Sequence, residues 1–454
     1  MQNEDKVNLF EHTPIPRAVA KLAVPTILSS LVMVIYNLAD TYFVGMCNNA
    51  IENAAVTLAA PVLLAFNAVN NLFGVGSSSM MSRALGKKDY DTVYKSSAFG
   101  FYCALLSGAV FALLCGIFQN PLLKLLGADA NTMGATVGYM KWTVVFGAVP
   151  AILNVVLAYM VRAEGSALHA SLGTMSGCFL NILLDPIFIL PWGLDMGAEG
   201  AGVATFLSNC VACLYFFLLL FKKRGNTFVC VNPRKFTFEK RIVWGICSVG
   251  VPASIQNLLN VTGMTLLNNF TSSFGADAVA AMGITQKINM VPMNIAMGLS
   301  QGIMPLISYN YSSRNHKRMK GALTFSAKAS LGFITVVAAG YFVGAAQLTQ
   351  LFMDNGTIVA YGTRFLRGFC LGLPFLCMDF LAVGVFQAVG MGREALLFAI
   401  MRKIVLEIPA LYILNFLFPL YGLAYAQLTA EVVLAVAAVL VLKRLFQRIS
   451  RENV

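Results

Sequence analysis

Asp40 and Asp185 are carboxylates set inside apolar stretches, beside groups of the kind that bind cations. Asp40 closes the run Leu31-Val-Met-Val-Ile-Tyr-Asn-Leu-Ala-Asp40, four residues after Tyr36, so the two share one helical face. No Lys or Arg lies within eighteen residues of it on either side. Such an acid takes a proton, binds a cation, meets a base from a distant helix, or sits at a helix end that reaches water. Asp185 ends the stripe Ser171, Thr174, Cys178, Asn181, Asp185, whose steps of 3, 4, 3 and 4 draw one straight helical face. Pro186 follows directly and frees the carbonyl of Ile182, four residues back. A carboxylate, an amide oxygen and a freed carbonyl are hard oxygen ligands, suited to Na⁺ or to a proton site. Ser171 and Thr174 read as helix packing.

A third stripe, Lys287, Met290, Asn294, Met297 and Gln301, repeats the 3, 4, 3, 4 spacing. Its flexible thioethers suit a surface that accepts varied apolar ligands, although a Met stripe also serves as ordinary core. Lys287 needs a partner or water, and the candidate partners are Asp379, Glu407 and Glu431. Lys403 and Glu407, four apart, are also placed to pair with each other. Arg162 and Glu164 read as a structural turn.

The elements that carry these residues are membrane helices. Hydrophobic residues make up 58% of the 454 and charged residues 11%, and mean hydropathy is +0.73. Uncharged runs such as 99–118 and 201–221 are long enough to cross a bilayer. The spacing predicts an all-α, polytopic chain of about twelve spans, near 17–45, 53–83, 94–118, 135–158, 164–189, 199–221, 242–272, 278–310, 322–345, 358–388, 393–416 and 420–446. Strands of a barrel would alternate in character, and these do not.

The chain also says nearly the same thing twice. Pro25, Gly76, Pro150, Pro186 and Gly200 recur as Pro252, Gly302, Pro374, Pro409 and Gly422, at offsets of 227, 226, 224, 223 and 222. Slow drift of this kind marks one duplicated unit. The division reads as an N-terminal lobe over 1–221, a cytoplasmic linker loop over 222–241 and a C-terminal lobe over 242–454. Of the 32 Lys and Arg, Lys287 is read as the one in mid-span; Lys124, Lys141, Arg364 and Arg367 edge one set of loops, and the rest fall at the termini or in the alternate loops. By the positive-inside rule both termini are cytoplasmic, and the two six-helix repeats are parallel. Paired apolar halves of this type read as a transporter with its site between them.

The net charge of +12 is then a topology signal and not a nucleic-acid footprint. No signal peptide is read in the polar first twenty residues. Cys210 and Cys213 match a CxxC spacing, but on an apolar helix they read as packing. No metal-ligand spacing, phosphate-binding GxxxxGK[ST] or catalytic constellation stands out, so neither an enzyme nor an ATP-driven pump is expected.

Several passages carry a family resemblance: Tyr36-Asn-Leu-Ala-Asp40-Thr-Tyr-Phe-Val-Gly45, Arg83-Ala-Leu-Gly86, Arg162-Ala-Glu-Gly165, Asn181-Ile-Leu-Leu-Asp185-Pro186, Gly197-Ala-Glu-Gly200-Ala-Gly-Val-Ala-Thr205 and Gln387-Ala-Val-Gly390. In order and spacing they resemble the bacterial multidrug and toxic compound extrusion (MATE) family, on its MepA-like branch, along essentially the whole chain. The resemblance implies a V-shaped, two-lobed antiporter of the plasma (cell inner) membrane. It would exchange Na⁺ or H⁺ for lipophilic, often cationic drugs or toxins by alternating access. It also implies a cation site in the N-terminal lobe at Asp40, Asn181, Asp185 and Thr205, with Tyr36 and Asn154 nearby, and a bend of the first helix near Pro25. A second site known from another branch needs a helix-7 acid; none lies between Arg241 and Asp277, and Asp379 is about one residue out of register. No cofactor beyond the coupling ion, no nucleic acid and no second subunit is implied. The alternative reading is a lipid-linked precursor flippase of the same superfamily, which would require a more basic cavity than Lys287 supplies.

Overall fold

A chain in hydrocarbon must satisfy its backbone internally, and this one does so with helices. The computed structural model describes residues 2–47, 49–353 and 355–451, among which no strand occurs. The order begins with α1 (Gln2–Glu11), α2 (Ile15–Met46), α3 (Ala50–Asn70), a π-helical segment (Asn71–Val75), α4 (Gly76–Gly86), α5 (Tyr90–Ile117) and α6 (Gln119–Leu125). Then come α7 (Met133–Met140), a second π segment (Lys141–Phe146), α8 (Ala148–Ala163), α9 (Ala167–Ile189) and α10 (Gly197–Lys222). The second half supplies α11 (Lys240–Ser272), α12 (Ala276–Ser312), α13 (His316–Val343), α14 (Ala345–Phe352) and α15 (Gly356–Val389). It closes with α16 (Gly392–Ile400), a third π segment (Met401–Glu407), α17 (Ile408–Leu417) and α18 (Leu423–Arg451).

Among the described residues, ten spans are long and apolar enough to cross a membrane, and Met133–Phe146 with Ala148–Ala163 forms an eleventh, bent by 49°. The span expected at 393–416 is α16, the third π segment and α17 in succession. It fails as a single apolar helix because its middle holds Arg402, Lys403 and Glu407. Outward-facing side chains such as Val336 and Phe416 remain exposed, as a lipid-facing surface requires.

The duplication extends to the turns. Lys88 (φ 58°) and Arg314 (φ 61°) both take the left-handed conformation, and so do Asp195 (φ 51°) and Leu420 (φ 68°). Asp89 caps α5 by accepting from the Thr92 N–H, and Asn315 caps α13 by accepting from the Arg318 N–H. The Thr92 hydroxyl also donates to Asp89 (2.7 Å), and Arg241 donates to the same carboxylate (2.6 Å). Chiefly through the Thr92 hydroxyl, these contacts hold the Asp89 carboxyl below its ordinary range.

By packing, the chain forms two units. The first comprises 1–13 and 28–254, the second 14–27 and 255–454. Of the three changeovers, one falls between α1 and α2, and the other two lie inside α2 and α11, each two residues beyond a proline, Pro25 and Pro252. In the first unit Gly76 lies against α11, where an added Cβ would stand 2.6 Å from the Ile246 carbonyl oxygen. In the second, Gly302 lies against α2, where an added Cβ would stand 2.7 Å from Ala23 Cα. Repeated glycines thus admit the start of each long helix at backbone contact.

Within the first unit the turn after α8 is tied to α1. Lys6 pairs with Glu164 (2.7 Å), whose other oxygen accepts from the Phe228 N–H (2.6 Å) and the Thr227 hydroxyl (2.9 Å). The structural reading of Glu164 fits this bonding.

Candidate functional site

The first unit brings α2, α7, α9 and α10 together around Asp40 and Asp185. Helical period carries Asn181 and Asp185 to the same face of α9, where both are buried, at 1% and 0% exposure. The Asn181 amide fits its surroundings one way round. Its Nδ2 donates to Asp185 Oδ2 (2.7 Å) and Oδ1 (3.2 Å), and its Oδ1 accepts from the Thr205 N–H on α10 (3.2 Å). Reversed, it would set oxygen against carboxylate and keep only a 3.3 Å contact from Nδ2 to the Thr205 hydroxyl. The hydrogen-bond network selects the first orientation.

Asp40 lies close enough to Asp185 for their charges to repel when both are ionised. Its Oδ1 is buried with no hydrogen-bond partner, and no base pairs with either acid among the described residues. Tyr36 stands in the same electrostatic environment, near both carboxylates and Cys178. Two carboxylates, an amide, a threonine and a phenol with no fixed counter-charge are groups of the chemistry that holds a proton or a small monovalent cation. Gathered so far are Tyr36, Asp40, Asn181, Asp185 and Thr205.

Asn154 engages other groups. Its Nδ2 donates to the Pro150 (2.7 Å) and Ala151 (3.1 Å) carbonyls and to Asn209 Oδ1 (3.1 Å), joining α8 to α10. Sequence reasoning missed Tyr139 of α7, which is buried and shares the field of Asp40 and Asp185. Only its phenol oxygen distinguishes it from the apolar residues around it, so no sequence signal singled it out.

The second unit holds a separate buried set of charges, and it corrects the reading of the basic residues. Lys287 is not the one mid-span base. Arg402 and Lys403 are buried in the third π segment, where they had been grouped with the loop charges. Arg402 Nη1 donates to Asp379 Oδ2 (3.2 Å), and its Nε lies 2.9 Å from Glu431 Oε1. That second contact is an ion pair without the alignment of a hydrogen bond. Lys403 pairs with Glu407 (2.7 Å). Gly263 on α11 makes the room: an added Cβ would stand 3.0 Å from Lys403 Nζ. Asp379, Glu407 and Glu431 are therefore engaged by Arg402 and Lys403, and Lys287 pairs with none of them. Asp379 (1% exposed) lies in this cluster and not on an open surface.

Lys287 is exposed on α12, while Met290, Asn294, Met297 and Gln301 of its stripe are half-buried. Asn294 donates back to the Met290 carbonyl (2.8 Å). Pro25 lies inside α2 in the part that packs with the second unit. Cys210 and Cys213 are free thiols.

Comparison with known proteins follows the same division. The MatE family profile matches residues 25–187 and again 252–413, stretches whose starts repeat the offset between Pro25 and Pro252. The chain is 34% identical over 453 residues to the multidrug export protein MepA of Staphylococcus aureus (strain MRSA252), covering 99% of this chain and 98% of that one. It is 32% identical over 452 residues to the protein of the same name from Staphylococcus saprophyticus, at the same coverage. Among solved structures, the outward-facing conformation of a multidrug resistance MATE family transporter of the MOP superfamily superposes with a TM-score of 0.92, at 26% identity and 98% coverage of both chains. Matched along both halves, the chain belongs to the MatE family and is a multi-pass membrane transporter, not an enzyme.

Proposed function

We propose that the protein is a cation-coupled antiporter that exports lipophilic, often cationic drugs or toxins across the plasma membrane, with Na⁺ or H⁺ entering through Asp40 and Asp185. The observation that carries this reading is that Asp40 and Asp185 share one electrostatic environment in the first unit with no base paired to either among the described residues, Asp185 being held by Asn181 and Asn181 by Thr205. An anionic site of this kind at membrane depth is stabilised when a proton or Na⁺ arrives. Similarity to multidrug export proteins supplies the cargo class. Coupling needs only that drug and cation favour different states of the protein.

The proposed sequence begins with drug bound from the cytoplasmic side while both termini face the cytoplasm. A cation entering from outside then neutralises the Asp40–Asp185 pair. α2 shifts near Pro25, where its packing partner changes within two residues, and the drug leaves outward. One chain holds both halves, so a monomer suffices. Ethidium efflux from energised cells tests the reading. It should stop when a protonophore or removal of Na⁺ dissipates the coupling gradient; efflux that persists without either gradient would refute it.

A further inference from the structure

We propose that the groove between α17 and α18, with Arg364 at its rim, is a binding site for one anionic phospholipid. The inference goes beyond cargo and coupling, and it needs only that the chain spans a membrane.

The groove has a volume of about 410 Å³ and is lined by Leu414, Phe418, Tyr421, Gly422 and Tyr425. Gly422 lets the two helices meet there, because an added Cβ would collide with the Leu414 carbonyl oxygen. The surroundings are those of a lipid-facing surface: Ile413, Phe416, Leu417 and Phe418 are large, apolar and exposed. The depth is that of the membrane interface. The turn from Phe418 to Gly422 directly precedes the span that begins at Leu423. Arg364 is the ninth residue of the 34 in α15. It lies about 12 Å along a helix of about 51 Å, which, when centred, overshoots a hydrocarbon core of about 30 Å by about 10 Å at each end. Tyr361 and Tyr421, with ring centroids 6.2 Å apart, stand at the same level, as interfacial aromatic residues do.

At this rim the guanidinium lacks an anion. Arg364 is exposed, lies 4.6 Å over the Tyr421 ring, and has no hydrogen bond or ion pair among the described residues. Arg367, three residues on, is engaged: it lies 5.2 Å over the Phe342 ring, and its Nε donates to the Phe342 carbonyl (3.2 Å). The duplication sharpens the contrast. At the offset of 222 that relates Gly200 to Gly422, Tyr421 corresponds to Glu199, which accepts from Trp142 Nε1 (3.0 Å). The second unit has an aromatic ring where the first has a carboxylate, so its cation is left for an anion from outside the chain. A phosphodiester matches the fork of guanidinium donors, and an acyl chain matches the apolar groove. A lipophilic cation is repelled by Arg364, and the volume is that of a small-molecule site and not of a protein interface. A zwitterionic headgroup brings its own cation, so a lipid of net negative charge is preferred.

Photolabelling of the full chain tests this. The protein is reconstituted in phosphatidylcholine vesicles doped with the same low mole fraction of phosphatidylglycerol or phosphatidylcholine carrying a diazirine on one acyl chain, and the labelled peptides are mapped. In wild type the phosphatidylglycerol probe should label residues 414–425 about fivefold more than the phosphatidylcholine probe, the scale of one basic side chain facing an anionic lipid. Arg364→Gln should bring the two probes to parity there, and Arg367→Gln should leave the preference intact. Labelling of the same stretch by the phosphatidylcholine probe shows that each variant has kept the groove. Excess soluble glycerol phosphate should change nothing. Absence of labelling at 414–425 in wild type, or equal labelling by both probes, would overturn the inference and leave only bulk lipid at this surface. A preference that survives Arg364→Gln would also overturn it, and so would competition by glycerol phosphate, which would make this a site for a free anion.

Discussion

Asn181 donates to Asp185 one helical turn away, its Nδ2 lying 2.7 Å from Oδ2 and 3.2 Å from Oδ1. The amide holds the carboxylate in place while its own oxygen is held by the Thr205 N–H, 3.2 Å away on the next helix. Asn181 therefore positions Asp185 relative to α10.

Replacing Asn181 with Ala should leave Asp185 buried without its donor. That donor stabilises the ionised carboxylate, so its loss, about 1–3 kcal/mol, should favour the neutralised form and lower the cation concentration that half-saturates transport by about 5- to 150-fold. Asn181→Asp should shift the pH dependence of efflux, because it adds a carboxylate to the pair. Initial rates of dye efflux measured against Na⁺ concentration and pH check both. Unchanged cation dependence in Asn181→Ala would remove Asn181 from the site.

The Arg402 cluster predicts stability. Arg402 is the counter-ion to both Asp379 and Glu431, which are 1% and 0% exposed. Arg402→Leu should destabilise the second unit by about 3–5 kcal/mol, because it strands two buried acids. Adding Asp379→Asn and Glu431→Gln should recover most of that loss. Thermal unfolding of the purified protein in detergent measures both effects.

The repeated glycines predict overpacking. In Gly302→Val the new Cβ would meet backbone, 2.7 Å from Ala23 Cα and 2.9 Å from the Leu22 oxygen, so no side chain can simply rotate away. Destabilisation of about 1–3 kcal/mol is expected, with a matching effect for Gly76→Val in the other half. Thermal unfolding of Gly332→Ala serves as the control, since an added Cβ there meets nothing within 4 Å.

Asp89 predicts a pH signature. Its carboxyl is held below the ordinary range by the Thr92 hydroxyl, with further help from the Thr92 N–H and Arg241. A depressed folded-state value means that the stabilisation is fully present above the unfolded pKa of about 4 and is lost as pH falls below it. Asp89→Ala should lower stability by about 1 kcal/mol at neutral pH, as lost N-caps do. The gap between wild type and variant should close below about pH 4 in parallel unfolding curves.

Much of this was legible in one dimension. Proline and glycine offsets revealed the two halves because each marks a backbone constraint that survives divergence, and the capping pair Asp89 and Asn315 keeps the same register. Asn181 and Asp185 were legible because a polar stripe at helical period survives only where side chains face one another. Thr205 entered by family resemblance, since a threonine on an apolar helix carries no signal of its own. Tyr139 was invisible because a buried phenol looks like core. Arg402 was misread because its partners are acids on two other helices, and pairing over that distance leaves no local trace; the pairing of Lys403 with Glu407, four residues on, was legible, although its depth in the span was not. Asn154 is near the site helices, yet its amide is engaged by Asn209, which no spacing rule would have selected.

The central claim is that Asp40 couples cation entry to export. Ethidium efflux from energised cells expressing wild type or Asp40→Asn, at equal membrane expression, tests it most directly. The account predicts gradient-dependent efflux by wild type and its loss, by at least about tenfold, in Asp40→Asn. Equal gradient-driven efflux by both proteins would contradict it.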